Sequence, residues 1–302
     1  MPRFPFIYHD RWDAGPPHVS YSEWRAMRAQ GVKPSNTTEL ELAPWPLAEA
    51  YEAGAAAALP EQFDPRERWP WCSTLFQIRD QGNCGSCWAT AVTEALSDRF
   101  CTLANITVDL SPNDVTACCT ACGAGCGGGD PAAAGKYLNT TGAVSAACSP
   151  YDQGDLHCAW HKPAPGPPTC HSGTCLDGET YAASKRHGTV PYNVPRTLDA
   201  IKLELFTNGP AGTQMTVYDD FAAYKGGIYQ TNCTPSTCTP WGHAIKIFGY
   251  GTDTLANGTT VSYWRVANSW CRQWGEAGFF RIIAGVNEVG IEGAIQTQLP
   301  IV

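Results

Sequence analysis

The stretch that most constrains this chain is Gln81-Gly82-Asn83-Cys84-Gly85-Ser86-Cys87-Trp88-Ala89. Two cysteines sit three apart in a glycine-flanked loop. An apolar pattern of helical period follows at Trp88, Ala91, Val92, Ala95 and Leu96. This places Cys87 in the first turn of a helix, where the positive end of the helix dipole favours thiolate over thiol. A Cys-x-x-Cys pair also suits a metal site or a redox couple. The run Cys118, Cys119, Cys122 and Cys126 offers the second ligand set a zinc site needs. Against a redox pair, the segment before it, Gln77 to Gln81, is polar and not a buried strand. Local features leave a catalytic thiol, a metal site and a disulfide half all open.

Two distant blocks narrow the choice. His243 lies in Trp241-Gly242-His243-Ala244-Ile245, and Asn268 in Val266-Ala267-Asn268-Ser269-Trp270. A cysteine in the context Cys-Gly-Ser-Cys-Trp, with His and Asn far downstream, is a signature of one protease class. Gln81 stands six residues before Cys87. Further blocks are Gly125-Cys126-Gly127-Gly128-Gly129 and Gly278-Phe279-Phe280. With these motifs the chain resembles the papain-like cysteine proteases from about Leu59 to the C-terminus. Asp80, the Cys-rich insertion between Cys148 and Cys175, and Gly290-Ile291-Glu292 make it similar to their cathepsin B branch.

The resemblance implies an α+β fold of two subdomains. A mainly helical one covers about 59–190 and a β-rich, barrel-like one about 191–302, with the active-site cleft between them. The strands expected in the second are Ala244–Tyr250 and Ser262–Val266, both alternating as half-buried strands do. The region from Cys118 to Cys175 is expected to lack regular structure and to be held by disulfides. Residues 1–58 read as a separate leader. Ser20-Tyr21-Ser22-Glu23 has the form of a capping box, Gly31 stops the short helix after it, and Ala55–Ala58 make a small-residue connector. By resemblance this is an inhibitory prosegment lying along the cleft, removed near Ala58-Leu59.

The same resemblance assigns Cys87 as nucleophile, His243 as its acid–base partner, Asn268 as the group that orients His243, and Gln81 as an oxyanion donor. Substrate contacts are expected at Gly128, Gly129, Asp130, Pro131, Gln214, Gly242, Ala244 and Trp270. Glu292, read as the base of the S2 pocket, implies a preference for Arg or Lys at P2. Asp130 stands where an aromatic wall is usual. The insertion 148–175 corresponds to an occluding loop. Of the two adjacent histidines that would bind a substrate's terminal carboxylate there, only His161 is present, beside Trp160. Endopeptidase activity is therefore expected to dominate over dipeptide release. The implied disulfides are Cys72–Cys101, Cys84–Cys126, Cys119–Cys122 and Cys148–Cys175. Cys233–Cys238 is a local expectation, and Cys158–Cys271 would leave Cys118–Cys170.

Composition fits a protein of the secretory pathway: 15 cysteines, with Asn-x-Ser/Thr triplets at Asn36, Asn105, Asn139, Asn232 and Asn257. The expected location is lysosomal, vacuolar or secreted, although the N-terminal residues carry no apolar run of signal-peptide length. A net charge of -8 argues against nucleic-acid binding. No stretch is apolar enough to span a membrane. No metal or cofactor is called for. Peptide and protein substrates, cystatin-type inhibitors and a monomeric state complete the expectation. Two other classes share the scaffold: a catalytically silent secreted glycoprotein, and an acyl transferase in which an amine takes the acyl group.

Overall fold

The computed structural model describes residues 31–33, 42–151, 168–171, 173–175, 178–234, 236–254 and 258–302. Among these, the helices are α1 (Ala48–Glu52), α2 (Pro65–Arg68), α3 (Cys87–Ala104), α4 (Pro112–Cys118), α5 (Pro131–Thr140), α6 (Leu198–Asn208) and α7 (Asp219–Ala222). The strands are β1 (His187–Gly188), β2 (Tyr192–Asn193), β3 (Ala211–Val217), β4 (Ile228–Tyr229), β5 (Trp241–Thr254), β6 (Thr260–Ala267), β7 (Phe279–Ile283), β8 (Gln296–Thr297) and β9 (Pro300–Ile301).

Helix α3 is the spine. It packs on α4 and α5 on one side and on β3 and β5 on the other. It is therefore buried nearly all round, and small residues (Ala89, Ala91, Ala95) let its neighbours approach. It ends at Asn105 in the left-handed conformation (φ 56°), whose N–H donates to the Cys101 carbonyl while the next N–H, of Ile106, donates to the Phe100 carbonyl. The β-rich half is one open sheet in the order β2-β8-β3-β5-β6-β7-β4, antiparallel except for β4 with β7. Two large apolar clusters lie on either side of the junction, one in the sheet half and one around Trp88, Leu96 and Phe100 in the helical half. Between them sits a third, of Cys87, Ala91 and Ala244, with Val32 of the leader packed on it.

Three features differ from the sequence reading. Strand β5 is buried on both faces along most of its length rather than alternating, because it is central in the sheet and α3 covers it. The Cys-rich region is not structureless: Asp130 caps α5 by accepting from Ala132 N, Pro131 takes its first position, and the alanines that follow favour helix. The connector Ala55–Ala58 is a 3₁₀ turn packed against α6. Cys72–Cys101, Cys84–Cys126, Cys119–Cys122, Cys148–Cys175, Cys233–Cys238 and Cys118–Cys170 are all bonded. Cys271 is also disulfide-bonded. Its expected partner Cys158 lies outside the described residues, as do His161, Trp160 and the capping-box sequence at Ser20.

Candidate active site

Cys87 is the first residue of α3. The positive end of the helix dipole therefore lies at its sulfur. The neighbouring strand presents Ala244, whose N–H donates to Cys87 Sγ at 3.4 Å. His243 is the preceding residue of that strand and is 2 % exposed. Its Nε2 lies 2.8 Å from Asn268 Oδ1. Asn268 Oδ1 also accepts from Ser269 N, which can only donate, and this fixes the amide oxygen as the atom facing the imidazole. His243 Nε2 therefore carries the proton in that bond, and Nδ1 is the nitrogen left for chemistry at the sulfur. Trp270 stacks on the imidazole at 4.8 Å and 28° and is fully buried, so water is kept from the His243–Asn268 bond.

Gln81 is 1 % exposed and held on every side. Its N–H donates to Ser269 O and its carbonyl accepts from the Tyr151 hydroxyl. Ser269 Oγ donates to Oε1 at 2.6 Å, and Nε2 donates to Cys84 O at 2.9 Å. One amide hydrogen is thus committed to the loop that carries Cys87, and the second remains for a ligand. Tyr151 also bonds Ser86 Oγ, joining the two ends of the loop. Ser269 and Tyr151 were not legible as supports from the sequence, because their partners are distant along the chain.

Gly129 forms the other wall. A Cβ there would lie 2.6 Å from the Trp88 ring and 2.8 Å from Cys122 O, so only glycine lets this backbone reach the cleft. Its backbone is occupied by residues 31–33: Lys33 N donates to Gly129 O at 2.9 Å and Gly129 N to Gly31 O at 3.2 Å, with Val32 bridged parallel to Gly129. Val32 also touches Gly242, where an added Cβ would meet it at 2.9 Å. Gly242, Ala244 and, opposite Ala244 in register, Gln214 line the same region from β5 and β3. With Val32 packed against it, Cys87 has no exposed surface.

Glu292 is held by three donors. Its carboxylate is buried and already accepts from Trp264 Nε1 at 2.8 Å, Gly285 N at 2.6 Å and Asn287 N at 2.8 Å. It ties together the loop between β7 and β8. Asp130 is likewise engaged, through Oδ1, as the cap of α5.

Among the described residues no cluster of acidic, His or Cys side chains suits a metal, and the Cys118–Cys126 run is consumed by disulfides. No helix of these residues is long and apolar enough to cross a membrane.

A thiol at a helix start, an imidazole oriented by an amide, and an amide donor beside them define a class of hydrolase. The family model "Papain family cysteine protease" matches residues 59–299, and the chain belongs to that family. Among curated relatives, the chain is 39% identical over 296 residues to cathepsin B-like cysteine proteinase 4 of Caenorhabditis elegans, covering 91% of this chain and 83% of that one. It is 39% identical over 263 residues to cathepsin B-like cysteine proteinase 6 of the same organism, covering 80% and 67%. Among solved structures it is similar to procathepsin B S9 from Trypanosoma congolense, with TM-score 0.77, 32% identity and coverage of 92% and 88%. The digestive procathepsin L 3 of Tenebrio molitor shares the fold at TM-score 0.67 and 23% identity.

Proposed function

We propose that this chain is a zymogen of a cathepsin B-type cysteine endopeptidase of the secretory pathway, with Cys87, His243, Asn268 and Gln81 as its working groups. The observation that carries the reading is the chain of contacts from Ala244 N at Cys87 Sγ, through His243, to Asn268 Oδ1. Cys87 Sγ, as thiolate, attacks the peptide carbonyl, and the carbonyl π electrons move to oxygen. The oxyanion meets the second hydrogen of Gln81 Nε2 and the Cys87 N–H. Collapse expels the amine, which takes a proton from His243 Nδ1. Water then attacks the thioester, giving its proton to Nδ1, and the thiolate leaves. Throughout, Asn268 holds Nε2–H so that Nδ1 stays on the sulfur side.

Residues 1–58 act as the inhibitory leader. Gly31 to Lys33 use the Gly129 backbone groups that a substrate needs, and Val32 covers the sulfur. With Glu292 spent inside its own loop, a basic P2 preference rests on Asp130 beside Gly129 and is weaker than a buried open carboxylate would give. The substrates are peptides and proteins. The test is cleavage after mild-acid activation, with Cys87→Ala as control. The substrates are an Arg-Arg reporter blocked at its C-terminus and a peptide with a free terminal carboxylate. Cleavage of the blocked reporter alone supports the endopeptidase, and dipeptide release identifies a carboxylate-anchoring loop. No cleavage by leader-free protein overturns the catalytic reading in favour of a silent scaffold.

A further inference from the structure

The leader touches the protease at a second place, remote from the cleft. Ala43 N donates to Pro191 O at 2.9 Å, so the chain enters alongside β2. Trp45 follows and is 9 % exposed, a member of the main apolar cluster of the β-rich half. Its Nε1–H donates to Glu204 Oε2 at 2.7 Å. Tyr51 of α1 closes over the indole edge-on at 5.5 Å and reaches the Thr197 hydroxyl at the start of α6.

Glu204 is itself fully buried. Its Oε1 accepts from Arg99 (2.8 Å), Tyr192 (2.8 Å) and Asn208 (3.1 Å). Among the described residues, Oε2 accepts from Trp45 only. A buried carboxylate oxygen without a donor is costly, by about 1–3 kcal/mol or more. A fully buried tryptophan is worth a comparable or larger sum. The protease half therefore holds a ready indole pocket with an anionic acceptor in its floor, and the leader fills it. A cut near Ala58-Leu59 leaves both the indole and its acceptor in place but severs the covalent link.

We propose that the pocket over Glu204 is a docking site for an indole N–H donor, and that Trp45 in it holds the leader on the enzyme after the chain is cut. This rests on residues 1–58 being the inhibitory leader. Release from the cleft and release from the enzyme are then separate events. The cleft contact is a few backbone bonds around Val32, whereas the remote contact is an aromatic anchor.

The experiment uses the full-length chain with Cys87→Ala and a recognition site for an added protease inserted after Gly54, an exposed turn with nothing within 4 Å. Cutting there does not depend on the protein's own activity, so its result stands apart from the catalytic reading. The cut protein is passed over a sizing column at neutral pH, and the peaks are identified by mass. The Trp45 fragment is expected to travel with the enzyme. Trp45→Ala is expected to weaken its retention about tenfold or more. Trp45→Phe, which keeps a ring but loses the N–H, is expected to fall between them and guards against a folding defect in the alanine variant. Val32→Asp in the same protein is expected to leave the fragment bound, because it removes the cleft contact and keeps the Trp45 anchor. Retention of the Trp45→Ala fragment equal to that of the parent would overturn the proposal and put the leader's whole hold in the cleft. Loss of the parent fragment from the enzyme peak would overturn it as well.

Discussion

Glu292 and Gly129 carry different kinds of residue-scale consequence. The Glu292 carboxylate closes the loop between β7 and β8 with three N–H donors. Replacing it with alanine strands those donors, and a cost of about 3 kcal/mol or more is expected. Thermal denaturation of Glu292→Ala will show a lowered midpoint, and the ratio of Arg to Phe turnover at P2 will not change. A large shift in that ratio would return Glu292 to the specificity pocket. Gly129→Ala acts differently: its Cβ meets the Trp88 ring and the Cys122 carbonyl, so the substrate-pairing backbone must move. Leader-free Gly129→Ala is expected to lose about 10–100-fold in kcat/KM, the scale that small misplacements cost. A wild-type value would show that this wall does not position substrate.

At the scale of elements, the junction of α3 and β5 contains a buried charge cluster. Lys246 Nζ lies 2.7 Å from Asp98 Oδ2, and Arg79 approaches Glu94 and pairs with Asp109. Burial pushes the Glu94 carboxyl up to about 7 from its ordinary 4.5, against the pull of Lys246 and Arg79 and with the push of Asp98 and Asp109. The folded state therefore holds a proton that the unfolded chain releases above about 4.5. This contributes stability fully present below about pH 4.5 and lost as pH rises to about 7, worth about 3 kcal/mol across that window. The Glu94→Gln protein is expected to match the parent near pH 4.5 and to be more stable above pH 7. Parallel denaturation curves for the two at all pH values would remove Glu94 from the account. Much of this level was legible in the sequence: a helix starting at Cys87, strands over His243 and the segment before Asn268, and four family disulfides follow from motifs whose partners are close in sequence or fixed by family. The environment of Glu292 was not, because its indole donor, Trp264, lies on another strand. Helix α5 was hidden by the surrounding cysteines and glycines, although Asp130-Pro131-Ala132 is a readable start signal.

For the whole molecule, the described residues before Leu59 are built into both halves. Residues 31–33 pair in the cleft, and residues 42–58 pack on α6 and the β-rich core. The packing of Trp45 had no sequence signal, since its acceptor Glu204 is 159 positions away and buried by elements that only the fold assembles. With Val32 seated, Cys87 is fully buried. Iodoacetamide should leave the intact zymogen unlabelled and, after leader removal, should label Cys87. Rapid labelling of the intact protein would mean that the cleft contact opens readily in solution.

That same burial has a chemical meaning in the compartment where this chain acquires its disulfides. The conditions that oxidise Cys72, Cys84, Cys118 and their partners would carry an accessible thiolate to sulfenic acid or a mixed disulfide. Val32, packed on a fully buried Cys87, stands between that sulfur and such oxidants. On the proposed reading of residues 1–58 as a removable leader, Val32 is a protecting group in the synthetic chemist's sense, and removing it would deliver the sulfur in its reduced state.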